Sequence, residues 1–253
     1  MLEIRNQDDI LEIRLARPPV NALDPELVTQ LRKQIEGAPA KGARGLLITG
    51  SEGMFSAGLD VPVLLGLDRE SMRAFWREFF ALCAALARSP IPSVAAISGH
   101  SPAGGAVLAL FCDYRVMARG PYRIGLNEVQ VGLTVPECIQ LALRRTVGTY
   151  RAERLLVAGA MLEAEQALEI GMVDALAPVE EVVTRASLWM RELLSLPTRA
   201  MSTTRAMARA DLTAAFADID ALSVDDFLDG WFNEETQRVL HALVASLKEK
   251  KAR

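Results

Sequence analysis

The sequence predicts an α/β fold in which short, buried and mostly parallel strands alternate with helices. Two observations carry that expectation. Strand-length apolar runs recur along the first half of the chain, each followed by a run at helical spacing, and such β-then-α steps pack as a parallel sheet covered by helices. The chain has 253 residues and is 51% hydrophobic, enough to bury a sizeable core.

The elements follow in order. Segments 2–5 and 10–15 alternate as strands do, and the second stops at Pro18-Pro19. Asp24-Pro25-Glu26 then supplies an N-cap, a first-turn proline and a first-turn acid for a helix with Leu27, Leu31 and Ile35 on one face. Residues 46–49 form the next strand, and a loop leads through Phe55-Ser56-Ala57-Gly58-Leu59-Asp60 towards a helix over about 71–88. A strand at 93–98 meets the turn Ser98-Gly99-His100-Ser101-Pro102-Ala103-Gly104-Gly105-Ala106, which opens into an apolar helix ending near Cys112. Strand-like runs at 114–118 and 122–126 follow. After Pro136 come amphipathic helices at 139–147, 152–158 and 163–170, interrupted by Gly171-Met172-Val173-Asp174. Beyond Pro197 nearly everything favours helix, and Val239, Leu240, Leu243, Val244 and Leu247 form an apolar stripe that must be buried against something. The expected organisation is therefore a core at 1–197 and a helical packing or oligomerisation region at 198–253.

Composition excludes several functions. The net charge is −4 with scattered basic residues, so no nucleic-acid footprint is expected. Apolar runs are too short to span a membrane. Cys83, Cys112 and Cys138 are odd in number and far apart, which fits a reducing compartment, and with two histidines no metal site is expected. Neither a signal peptide nor a transit peptide is visible, so a cytoplasmic location is expected.

The turn at 98–106 is the expected seat of chemistry, because a helix opening from a Gly-rich turn aims unpaired N–H groups at a ligand. A serine nucleophile elbow does not fit: Pro102 follows Ser101 and has no N–H to contribute to an oxyanion hole. His241 would have to complete such a triad from an amphipathic C-terminal helix. No phosphate-loop or dinucleotide signature is present either.

Three motifs stand in order: Phe55 to Asp60; Ile97 to Gly105 with Cys112-Asp113-Tyr114-Arg115; and Ile124-Gly125-Leu126-Asn127-Glu128 with Gly132. Together they resemble the crotonase (enoyl-CoA hydratase/isomerase) superfamily, and their wording is most similar to its mitochondrial-type Δ3,Δ2-enoyl-CoA isomerases. The resemblance implies a ClpP/crotonase-like spiral of ββα units with a C-terminal helical region. It implies an acyl-CoA substrate of fatty-acid β-oxidation, no cofactor beyond that coenzyme A thioester, and a homotrimer or dimer of trimers.

Carried over residue by residue, the resemblance makes the Leu59 and Gly104 N–H groups the oxyanion donors and Glu128 the catalytic carboxylate. Fixed donors of this kind are worth about 2.7–4 kcal/mol each. Ala57, Gly58, Leu59, Asp60, Val61, Gly104 and Asn127 would contact the substrate. Almost purely apolar sequence surrounds Glu128, which favours a raised carboxyl pKa. The hydratases carry a second glutamate three residues after the oxyanion glycine, and here that position is Val107, which cannot transfer a proton. One carboxylate suffices to move a proton from C2 to C4, so the isomerase reading is preferred. Two alternatives stay open: a hydratase or other crotonase-type reaction pairing Glu128 with Glu137, and a non-catalytic acyl-CoA-binding protein. Arg17 is a candidate phosphate partner, Asp60 is expected to brace the oxyanion loop, and His100 is expected to be structural or to line the acyl pocket.

Overall fold

The structure is a computed structural model that describes residues 1–219, 222 and 224–252. It opens with an antiparallel hairpin of β1 (Leu2–Gln7) and β2 (Ile10–Leu15). The Asp24 carboxylate accepts the Leu27 N–H at 2.8 Å and caps α1 (Pro25–Gly37), whose Leu27, Leu31 and Ile35 are buried as their spacing predicts.

From here the chain repeats one move: a strand in a large sheet, a shorter strand in a second sheet, then helix. β3 (Gly45–Thr49) and β4 (Gly53–Met54) lead to α2 (Val61–Leu64) and α3 (Arg69–Arg88). β5 (Ser93–Ile97) and β6 (Gly99–Pro102) lead to α4 (Gly104–Phe111). β7 (Tyr114–Ala118) and β8 (Arg123–Gly125) lead, through a 3-10 turn at Glu128–Val131, to α5 (Glu137–Val147) and α6 (Thr149–Ala158). β9 (Leu162–Glu163), α7 (Ala164–Glu169), β10 (Ala175–Ala177) and α8 (Val182–Leu194) complete the core. α9 (Thr198–Ala208), α10 (Ala210–Ala214), α11 (Val224–Trp231) and α12 (Glu234–Ala252) follow.

The large sheet has the order β1-β2-β3-β5-β7-β10, parallel from β2 onward, and the small sheet has the order β4-β6-β8-β9. Successive turns of a spiral therefore lie side by side. Both faces of the large sheet are covered: Leu46 and Ile48 of β3 join the main core with α3 and α4, while Leu47 joins Val182, Ala186 and Met190 of α8 on the other face. That is why these strands read as continuous apolar runs instead of alternating. α4 is buried on every side.

The C-terminal helices pack on the same core. Leu212, Phe216, Leu228, Trp231 and Leu240 are buried within it, and Arg205 and Arg209 both pair with Asp113 just beyond α4, at 2.8 and 3.0 Å. The apolar stripe of α12 is divided: Leu240 is buried, Val239, Leu243 and Val244 are half-buried, and Leu247 is 46% exposed. Among the described residues no helix is long and apolar enough to cross a membrane.

Several elements differ from the sequence expectation. The segment at 122–126 contributes only the three residues of β8, and α2, β4, β6, β9, β10 and α8 are additional to the elements expected from the sequence. The additional strands are two to four residues long, too short to show a period.

Candidate active site

The Gly-rich turn is shaped by β6 and β8. Pro102 pairs with Gly125, and the Ala103 N–H donates to the Gly125 carbonyl at 2.8 Å. Ala103 takes φ 45° and ψ −121°, which swings the chain sharply into α4. An alanine held at positive φ costs on the order of 1–3 kcal/mol, so the surrounding packing must hold it. Gly104 is the first residue of α4, and its N–H donates to no group among the described residues.

The second donor comes from the loop before α2. Leu23 donates its N–H to Gly58 O at 2.8 Å and accepts the Asp60 N–H at 3.0 Å, so the N–H of the intervening Leu59 faces away from Leu23. That N–H also has no acceptor among the described residues. The two donors are neighbours: a Cβ built on Gly104 would lie 3.5 Å from the Leu59 nitrogen. One built on Gly105 would lie 2.5 Å from the Ser56 carbonyl oxygen, so side chains at these positions would force the loop and the helix apart. Two adjacent free N–H groups, one at a helix N-terminus, can hold an oxyanion.

Glu128 opens the 3-10 turn three residues after β8. Its Oε2 is buried and finds no hydrogen-bond partner among the described residues. Burial raises its pKa from the ordinary 4.5 to about 7, and no charged neighbour contributes to the shift. The neighbouring Asn127 Oδ1 is likewise buried and unpartnered. A carboxyl that titrates near neutrality can both take and return a proton. Val107 lies within α4, 1% exposed, and offers no second carboxyl.

The remaining expectations divide. Asp60 caps α2 by accepting the Val63 N–H at 3.2 Å and pairs with Arg17 at 2.7 Å. Arg17 also pairs with Asp24 at 3.0 Å and donates to Ala22 O at 3.2 Å, so its guanidinium, a candidate phosphate partner from the sequence, braces the loop here. Glu137 does not support the alternative two-acid arrangement with Glu128: its side chain is 75% exposed and pairs with Arg144 on its own helix. The Ser101 hydroxyl is buried behind Gly105 and cannot present itself as a nucleophile. His100 accepts the Arg123 N–H at 3.2 Å and stands edge-on to Tyr122, a bond between β6 and β8. His241 is exposed on α12. Ala57 and Val61 flank the loop, each half-buried.

Sequence reasoning missed Asn21 and Ser56. The Asn21 amide donates to the Phe55 carbonyl at 3.1 Å, and Ser56 Oγ donates to the Asn21 carbonyl at 2.7 Å while accepting the Gly58 N–H at 3.2 Å. These residues shape the loop that presents Leu59. They lie 35 positions apart and nothing local connects them. Among the described residues no group of three His, Cys, Asp or Glu side chains is placed to hold a metal.

Comparison with known proteins adds three findings. The enoyl-CoA hydratase/isomerase family matches residues 5–248. Human mitochondrial enoyl-CoA delta isomerase 1 is 34% identical over 242 residues, covering 94% of this chain and 80% of that one, and a probable enoyl-CoA hydratase of Mycobacterium avium is 33% identical over 210 residues, covering 80% and 77%. The crystal structure of human mitochondrial Δ3-Δ2-enoyl-CoA isomerase superposes with a TM-score of 0.94 at 32% identity, covering 99% of each chain.

Proposed function

From the premise that this chain belongs to the enoyl-CoA hydratase/isomerase family, with the crotonase fold, we propose that it is a Δ3,Δ2-enoyl-CoA isomerase of fatty-acid β-oxidation. The observation that carries the reading is the Glu128 carboxyl, buried with its Oε2 unpartnered among the described residues and raised to a pKa of about 7 by that burial, with no other acid contributing to the shift. The thioester carbonyl accepts from the Leu59 and Gly104 N–H groups. The Glu128 carboxylate takes a proton from C2 of the 3-enoyl thioester, and the C2–H electron pair flows into a dienolate whose oxygen those donors stabilise. The protonated Glu128 then delivers the same proton to C4, leaving the double bond between C2 and C3 and the carboxylate restored. Atoms balance with no cofactor; coenzyme A is only the carrier of the acyl group.

In this reading Ala57, Gly58, Asp60, Val61 and Asn127 form the thioester-binding surface with the two donors, and the Asn127 carbonyl oxygen accepts a donor from the substrate or from protonated Glu128. Hydration, the reaction named for the Mycobacterium avium relative, is less well supported because Glu137 is exposed on Arg144. The exposed end of the α12 stripe supports packing of region 198–253 on a second copy, in a homotrimer or dimer of trimers; sedimentation as a monomer would overturn that part. The activity is tested by offering 3-enoyl and 2-enoyl thioesters separately. Fast 3-to-2 conversion with slow formation of the 3-hydroxy product is expected, and the reverse order overturns the assignment.

A further inference from the structure

The turn that carries Glu128 is held from outside the spiral. It ends at Gly132, which takes φ 77° and donates its N–H back to the Val129 carbonyl at 3.2 Å, while the Leu133 N–H donates to the Glu128 carbonyl at 3.0 Å. The Gly132 carbonyl in turn accepts the hydroxyl of Thr236, in the first turn of α12, at 2.8 Å. Thr236 is 4% exposed, and a Cβ built on Gly132 would lie 3.1 Å from both its Cα and its Oγ1, so helix and turn are in direct contact. Gln130 Nε2 of the same turn donates to the Gly159 carbonyl at 2.8 Å, just beyond α6. α12 is itself anchored: Asn233 Oδ1 accepts the Glu235 N–H at 2.9 Å, Gln237 Nε2 donates to the Trp231 carbonyl at 2.8 Å, and Leu240 is fully buried. The same helix packs against α2, the element that follows the Leu59–Asp60 loop.

We infer that Thr236 is a positioning residue: through Gly132 it fixes the backbone of the Glu128 turn, so that α12 sets the carboxyl relative to the oxyanion donors. This rests on the isomerase reading for its catalytic consequence, but its structural content is separate. A displacement on the order of 1 Å at a reacting group costs up to about a hundredfold in rate. A residue that acts only on overall stability changes the midpoint of unfolding and leaves the rate per folded molecule and its pH profile alone.

The test compares Thr236→Val, which keeps the shape and removes the donor, with Thr236→Ser, which restores it. Thr236→Val is expected to lower kcat for 3-enoyl thioesters about ten- to a hundredfold with KM changed less than about threefold, and to move the acidic limb of the kcat profile downward as the carboxyl gains solvent. Thr236→Ser is expected to retain both. A Thr236→Val enzyme with the parent kcat and the parent limb overturns the inference. If Thr236→Val does not fold, Thr236→Ala, which removes the donor without adding bulk, takes its place with the same two outcomes. A carbon-13 titration of the Glu128 carboxyl in the same proteins separates this inference from the isomerase reading. A parent enzyme without isomerase activity sinks that reading alone, whereas an unmoved Glu128 titration in Thr236→Val sinks the positioning role whatever the activity.

Discussion

Glu128 combines two properties that normally exclude each other, a charge to be used and a setting that disfavours it. Its Oε2 is buried without a hydrogen-bond partner among the described residues, and burial raises its pKa to about 7. As a base it must be ionised, so kcat/KM for isomerisation, which reports the free enzyme, should fall about tenfold per unit as pH drops below about 7; a kcat/KM that stays flat down to pH 5 would show that another group accepts the proton. Glu128→Gln should retain acyl-CoA binding and lose on the order of 10²–10⁴ in kcat, read by stopped assays alongside equilibrium binding. The same group has a stability signature. A carboxyl whose folded-state pKa exceeds its unfolded value holds its proton more tightly when folded, so its contribution is fully present below about pH 4.5 and lost as pH rises through about 7. Glu128→Gln is therefore expected to unfold near the parent's urea midpoint at pH 5 and to be the more stable protein at pH 8, by up to about 3 kcal/mol. Equal differences at the two pH values would contradict the raised pKa.

At the scale of elements, the oxyanion arrangement depends on how closely α4 approaches the 55–60 loop. Gly105→Ala places a Cβ 2.5 Å from the Ser56 carbonyl oxygen, a backbone atom that cannot swing aside. Overpacking of this kind costs about 1–3 kcal/mol, and because it separates the two donors it should lower kcat more than it raises KM. Parent-like kinetics with reduced stability would mean that the donors tolerate the shift. Much of this element was legible in sequence. Pro102 argued against Ser101, and Gly104 begins α4 where the Gly-rich run enters apolar sequence. The first helix was equally readable, because Asp24 and Pro25 are local signals that act within one turn. What was not legible is whatever depends on distant partners. Arg17 reads as a free cation until Asp24 and Asp60 are seen on either side of it. Glu137 reads as a second acid until it turns towards Arg144 and solvent. The small sheet escaped because β4 spans two residues and is defined only by its pairing with β6.

For the whole molecule, the C-terminal helices are tied to the far end of the helix whose first N–H faces the loop donor. Asp113, two residues beyond α4, accepts from Arg205 Nε and Nη2 at 2.8 Å each, from Arg209 Nη1 at 3.0 Å and from the Ser93 N–H at 2.8 Å. Arg209 Nη2 also donates to the Phe111 carbonyl at 2.7 Å, capping the C-terminus of α4, where a cation is favoured by the helix dipole. All three side chains are nearly buried, at 10–13% exposure. A buried network of this sort is not strong evidence of net stability, yet removing its one anion leaves two guanidinium groups facing each other without compensation. Asp113→Asn should therefore cost about 3–5 kcal/mol, well above the loss for an exposed pair such as Arg119–Glu165, which is worth roughly 0–1 kcal/mol. The loss should be local before it is global. Amide exchange is expected to accelerate first in α9, α10, the last turn of α4 and the Ser93 end of β5, while β3 keeps its protection, because that strand is covered on both faces by residues the substitution does not touch. Uniform acceleration across the sheet would instead mean that the C-terminal helices and the spiral unfold as one unit.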